Sequence, residues 1–148
     1  MTAPCAVIGI GNTLRRDDGV GAKVIDCLRA RVDPDRVELF TCHQLLPEVV
    51  ESLRGRVGVI FVDASVELDA GEVRCDDVVV DPAPWRWGHH LEPASLLGIM
   101  DPVERPAART IAIGAVDFEF GEELSTDVDH AVPAAVDCIL STVEEWTA

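Results

Sequence analysis

Long apolar runs are missing from this sequence. Nearly half of its 148 residues are hydrophobic, yet no segment approaches the roughly 20 consecutive apolar residues that a membrane-spanning helix needs. Met1-Thr2-Ala3-Pro4 carries no basic group ahead of a long enough apolar stretch, so no secretory signal is expected and the chain is expected in the cytoplasm. Lysine is nearly absent: Lys23 stands alone among 12 cationic side chains, against 27 acidic ones, for a formal net charge of −15. A surface of that sign repels nucleic acid and anionic membranes. It suits a basic partner or a metal-bearing one. No C-x-x-C occurs, and the five cysteines (Cys5, Cys27, Cys42, Cys75, Cys138) are scattered and odd in number. They are expected to be free thiols in a reducing compartment, acting as small buried side chains. There is no G-K-[ST] for a phosphate loop and no G-x-S-x-G for a nucleophile elbow.

What is present is an alternation of strand-like and helix-like patterns. Strands are expected at about 5–10, 37–41, 57–62, 71–80 and 110–116, the fourth of them polar and towards an edge. Helices are expected at about 17–31, with Val20, Val24, Ile25 and Leu28 on one face, then from Pro47 to about 53, at 91–100 and from near 125 to 146. This order predicts one α/β domain over 1–148, with a three-layer architecture and a mostly parallel sheet. Right-handed crossovers place strand one beside strand three, with strand two outside strand one.

The densest chemistry lies in Gly9-Ile10-Gly11-Asn12-Thr13-Leu14-Arg15-Arg16-Asp17-Asp18-Gly19-Val20-Gly21. A strand runs into a glycine turn that delivers two aspartates to a helix start. A phosphate cradle presents bare N–H groups there; this one presents carboxylates, suited to a cation or a proton. One of the pair is accounted for by the helix macrodipole. Gly19 and Gly21 weaken a helix by about 1 kcal/mol each relative to alanine, so either a neighbouring element or a ligand must come close to that backbone. Asp63 ends the third apolar strand, where open α/β sheets place ligands. His89 and His90 open the third helix, and adjacent residues cannot both face one point. His43 is a further candidate, and His130 is expected on the surface of the last helix. The Gly9-x-Gly11 pair begins a dinucleotide fingerprint, but Leu14 stands where its third glycine belongs and no acid ends strand two. No nucleotide is expected.

Taken together, the opening motif, then Phe61-Val62-Asp63-Ala64, then His89-x-Leu91-x-Pro93-x-x-Leu96-Leu97, resembles the hydrogenase maturation endopeptidases. The likeness runs over nearly the whole chain, through Ile113-Gly114-Ala115-Val116-Asp117-Phe118 and Gly121-Glu122-Glu123-Leu124-Ser125. It implies an α/β/α sandwich on a five-stranded mixed sheet, phosphorylase/hydrolase-like, with strand four antiparallel. It also implies an aspartyl-type endopeptidase that trims the C-terminus of a [NiFe] hydrogenase large-subunit precursor. By motif, the family's metal-reading and catalytic triad falls on Asp18, Asp63 and His89, leaving Asp17 as the helix-start residue. Nickel would arrive in the precursor, and the glycines would let its metal site approach the backbone.

No serine or cysteine nucleophile with a base is evident, which fits attack by water, metal-polarised or carboxylate-assisted. His43-Gln44-Leu45 after strand two resembles the form found in proteases of bidirectional, NAD-linked hydrogenases, and is expected to read the substrate or to serve as a helix-entry turn. A monomer is expected. The rival reading is a metal-binding or chaperone-like module that binds the precursor without cutting it.

Overall fold

The computed structural model describes residues 2–83 and 91–148. Its strands are β1 (Cys5–Ile10), β2 (Val37–Cys42), β3 (Gly58–Ser65), β4 (Val73–Asp77) and β5 (Ala107–Gly114). They form one sheet in the order β2-β1-β3-β5-β4. β1 pairs in parallel with β2 and β3, and β3 with β5. β4 runs antiparallel along β5 at the edge. The expected placement of strands one, two and three is the one found, and the polar fourth strand is the antiparallel member.

Successive strand residues face opposite sides of the sheet. Cys5 and Val7 join Ile60, Val62, Ile111 and Ile113 beneath α1 (Val20–Leu28) and α4 (Thr126–Thr147). Ala6, Ile8 and Ile10 join Val59 and Phe61 beneath α2 (Val50–Leu53) and α3 (Pro93–Gly98). Helices thus cover both faces, giving the three-layer α/β/α sandwich. Both faces of β1 are buried, which is why its sequence is continuously apolar. Each fully buried Ile, Leu or Phe here contributes about 1.5–3 kcal/mol.

The first helix shows why sheet and site sit so close. Val20, Val24, Ile25 and Leu28 are its buried face, as the spacing predicts. A Cβ on Gly21 would lie 2.8 Å from the carbonyl oxygens of both Ile10 and Val62, and one on Gly9 would lie 2.6 Å from that of Gly21. These glycines let α1 rest directly on β1 and β3. The close approach expected at the motif is therefore made by the chain's own backbone, which corrects its assignment to an incoming precursor.

Several boundaries also differ from expectation. The helix expected from residue 17 begins as a 3₁₀ turn, Arg16–Gly19, and becomes α-helical at Val20; it closes at Leu28, whose carbonyl accepts from the N–H groups of Arg31 and Val32. The helix expected over 91–100 is shortened to Pro93–Gly98. Proline disfavours a helical residue before it, and Glu92 is extended. β3 continues past Val62 to Ser65, because β5 keeps pairing with it through Gly114. β5 occupies 107–114 rather than 110–116, and Val116 is exposed. β4 covers only the middle of the expected 71–80.

All five thiols are free. Cys5 is buried, and Cys27, Cys42 and Cys138 pack against the core. Cys75 departs from the expectation: it is exposed on the edge strand β4. Among the described residues, no helix is long and apolar enough to cross a membrane.

Candidate active site

β1 ends at Ile10, and the chain turns at Gly11, whose N–H donates to the Cys42 carbonyl at 2.9 Å. Gly11 has φ +137°, and a side chain there would strike the Asp18 carbonyl. Glycine is what allows the loop to fold back on itself. The Asn12 N–H then donates to Asp18 Oδ2 at 2.7 Å. That bond pins the half-buried Asp18 carboxylate to the extension of β1.

Asp63 lies opposite Ala112 of β5, one residue past the last β1 pairing at Gly9 and Val62. By strand alternation it shares a side with Val59 and Phe61, the side covered by α2 and α3. Asp18 and Asp63 line one open cleft of about 280 Å³, together with His43, Gln44 and Leu45 beyond β2 and Leu91, Glu92 and Pro93 ahead of α3. Leu45 and Leu91 form an isolated antiparallel bridge across its wall. The convergence of the two acids follows from the neighbouring positions of β1 and β3.

Asp63 reaches solvent through the cleft mouth, yet its walls strip much of its hydration. Burial pushes its carboxyl up to about 7; the Ala64 N–H hydrogen bond works against this, and the nearby Asp18 charge adds to it. Burial also raises the Cys42 thiol, and the Asp63 charge raises it further.

Asp17 points elsewhere. It is 0% exposed. Its Oδ2 accepts from the N–H groups of Val116 and Asp117 at 3.1 and 3.0 Å, and from Ser125 Oγ at 2.8 Å. Its Oδ1 accepts from the Ser125 N–H at 2.7 Å. Burial alone would raise this carboxyl; the Ser125, Val116 and Asp117 hydrogen bonds outweigh it and hold the group below its ordinary value. The assignment of Asp17 as a helix-start residue is thus incomplete, because its side chain is the anchor of the segment between β5 and α4. The same segment is stitched to the opening loop by Arg16 N–H to Gly121 O at 2.8 Å and Gly121 N–H to Leu14 O at 2.9 Å. Arg16 Nε lies 2.9 Å from the Asp117 carboxylate, an ion contact without hydrogen-bond alignment.

Of the residues expected to form the site, Asp18, Asp63, His43, Gln44 and Leu45 come together in the cleft. His89 and its neighbour His90 lie outside the described residues. His130 is exposed on α4, as expected. The sequence reading missed Glu92, a third carboxylate on the cleft wall, and Asn12, which holds Asp18. The N–H that holds Asp18 is backbone and leaves no mark in the sequence; the Asn12 side chain instead closes its own turn, its Oδ1 accepting from the Leu14 N–H at 2.9 Å. Among the described residues, no three His, Cys, Asp or Glu side chains gather closely enough to hold a cation by themselves. The cleft offers carboxylates to a cation brought to it, and a proton acceptor to a water molecule.

No protein-family model matches the chain. It is 26% identical over 150 residues to a Methanocaldococcus jannaschii protein named "Putative hydrogenase maturation protease MJ0253", covering 94% of this chain and 96% of that one. Among solved structures it is similar to the hydrogenase 2 maturation peptidase of a Thaumarchaeota archaeon, at 26% identity and TM-score 0.70, covering 95% of this chain and 97% of that one. The hydrogenase maturating endopeptidase HybD of E. coli shares the fold, with TM-score 0.79 at 21% identity and coverage of 95% and 92%. The resemblance carried by the motifs is borne out by these relatives, and so is the expectation of a peptidase.

Proposed function

We propose that this chain is the endopeptidase that removes the C-terminal extension of a nickel-loaded [NiFe] hydrogenase large-subunit precursor, of the bidirectional, NAD-linked type. The observation that carries this reading is the convergence of Asp18 and Asp63 in one cleft walled by His43-Gln44-Leu45. Relatives named as hydrogenase maturation proteases support it.

Nickel is part of the substrate. Carboxylate oxygens with an imidazole nitrogen form a donor set suited to Ni²⁺ with positions left open. Asp18, Asp63 and His89 would supply that set, and the precursor's own ligands would fill the remainder. Nickel would thereby fix the precursor's tail against the cleft. One of the two carboxylates would take a proton from the attacking water as oxygen bonds to the scissile carbonyl carbon. The proton then passes to the leaving amine as the C–N bond breaks. The His43–Leu45 loop would read the precursor's surface and set which hydrogenase is accepted. The protein acts as a monomer in the cytoplasm.

The test is processing of nickel-loaded and nickel-free precursor in parallel, with the C-termini read by mass spectrometry. Cleavage of the loaded form alone is expected. Cleavage that ignores nickel would refute the metal-reading role. Complex formation without any change in precursor mass would assign the chain to a binding module.

A further inference from the structure

Phe120 is 85% exposed. Its segment is nonetheless tightly held. The buried Asp17 carboxylate anchors both its ends, through Val116 and Asp117 on one side and Ser125 on the other. Arg15 Nε donates to the Phe118 carbonyl at 3.1 Å, and its guanidinium lies over the Phe120 ring, 5.6 Å from the centroid. A buried carboxylate and a set of cross-loop hydrogen bonds therefore hold an aromatic side chain out in water.

Phe120 has company. Leu14 is 55%, Val66 76% and Val116 63% exposed. Leu14 follows β1, Val66 follows β3, and Val116 and Phe120 follow β5. Those strands are parallel, so all four residues rise from the carboxyl edge of the sheet, the edge that carries Asp18 and Asp63. The Ala115 N–H bonds to the Ser65 carbonyl and the Gly121 N–H to the Leu14 carbonyl, which joins the three loops into one surface. Glu119, Glu122 and Glu123 stand exposed beside it, whereas Arg15 and Arg16 are engaged with the loop itself. The rim is apolar with an acidic border. Preorganised aromatic anchors ringed by polar groups are the usual centres of protein interfaces, and ordering them beforehand lowers the entropic cost of binding.

We propose that this rim, centred on Phe120 and Val116, is the docking surface for the folded body of the precursor, which meets it through an apolar patch bordered by basic side chains. This rests on the endopeptidase reading. The acidic border and the net charge of −15 select a basic partner surface. Continuity with the cleft brings the precursor's tail to the carboxylates once its body is seated.

The experiment compares wild type, Phe120→Ser, Val116→Ser/Phe120→Ser and, at the opposite edge of the sheet, Val103→Ser, on full-length nickel-loaded precursor. Initial rates give kcat and KM, and melting curves confirm folding. A KM raised about tenfold for Phe120→Ser and further for the double variant is expected, with kcat unchanged and Val103→Ser like wild type. Wild-type processing with unchanged KM in both rim variants would overturn the docking surface alone. No processing by wild type would overturn the endopeptidase reading and the docking surface with it. Self-association of wild type that Phe120→Ser abolishes in sedimentation would give the rim to a second copy of the chain and overturn the proposal.

Discussion

Ser125 gives both its backbone N–H and its hydroxyl to the carboxylate of Asp17, 108 positions earlier in the chain, at 2.7 and 2.8 Å. One buried acid thus fastens the entrance of the last helix to the loop that carries Asp18. Asp17→Asn keeps the shape but turns an amide N–H₂ towards donors that require an acceptor. Hydrogen bonds to charged groups are worth about 1.5–3 kcal/mol each, so a net loss of about 3 kcal/mol is expected. For a chain of this size that lowers the melting temperature by about 10 °C. The native Asp17 carboxyl lies below its ordinary value. Its contribution is therefore full above about pH 4 and fades as pH falls through the depressed native value. Asp17→Asn removes that part of the acid dependence. Thermal melts from pH 2 to 7 check both, and parallel curves for wild type and variant would contradict the anchor.

Asp63 titrates in the opposite sense. Its carboxyl is raised to about 7, so in the folded protein it holds a proton that the unfolded chain has already released. Its contribution to stability is full below the ordinary carboxylate value and is lost as pH rises through about 7. Because the Asp18 charge helps to raise it, Asp18→Asn moves the Asp63 midpoint down. A carbon-detected NMR titration of the Asp63 carboxyl reads this directly. An unmoved midpoint would mean that the two carboxylates do not sense each other.

Gly21→Ala should destabilise the fold despite alanine's better helix propensity. The gain of about 1 kcal/mol is smaller than the overpacking cost of about 1–3 kcal/mol, with a new methyl group 2.8 Å from two backbone carbonyls. A net loss of up to about 2 kcal/mol in urea denaturation is expected. Unchanged or increased stability would mean that α1 stands further off the sheet.

Asp18→Ala and Asp63→Ala should each abolish processing of the nickel-loaded precursor while still melting cooperatively as folded proteins, because neither side chain belongs to the apolar core. His89→Ala should do the same. Replacing His43-Gln44-Leu45 with a glycine-rich loop should change which precursor is cut; full activity in all three alanine variants, or unchanged selectivity, would remove the respective assignment.

Much of the fold was legible because apolar periodicity reports burial. β1, the buried face of α1 and the central position of β3 follow from runs such as Val59-Ile60-Phe61-Val62, which only a strand covered on both faces can carry. The strand ends were less legible. Ala64 and Ser65 lack an apolar signature, yet they continue β3 because hydrogen bonding to β5 does not depend on side chains. The convergence of Asp18 and Asp63 could be reasoned from topology. The separation of Asp17 from Asp18 was only half visible: a sequence reveals that two acids are adjacent, but not that Ser125 waits for one of them. Likewise the glycines announced a close approach without saying what approaches.

The two cleft acids owe their spacing to backbone: Asp63 to the β1–β3–β5 ladder, and Asp18 to the Asn12 N–H that extends β1. The residues that would meet a partner stand on connections beyond the strand ends. The opening loop belongs to both sets, since it carries Leu14 as well as Asp18 and is tied through Asp17 and Gly121 to the Phe120 segment. A partner seated on the rim therefore bears on the same backbone that positions Asp18, and any exchange of these loops for a new client has to keep the Asp17 anchor.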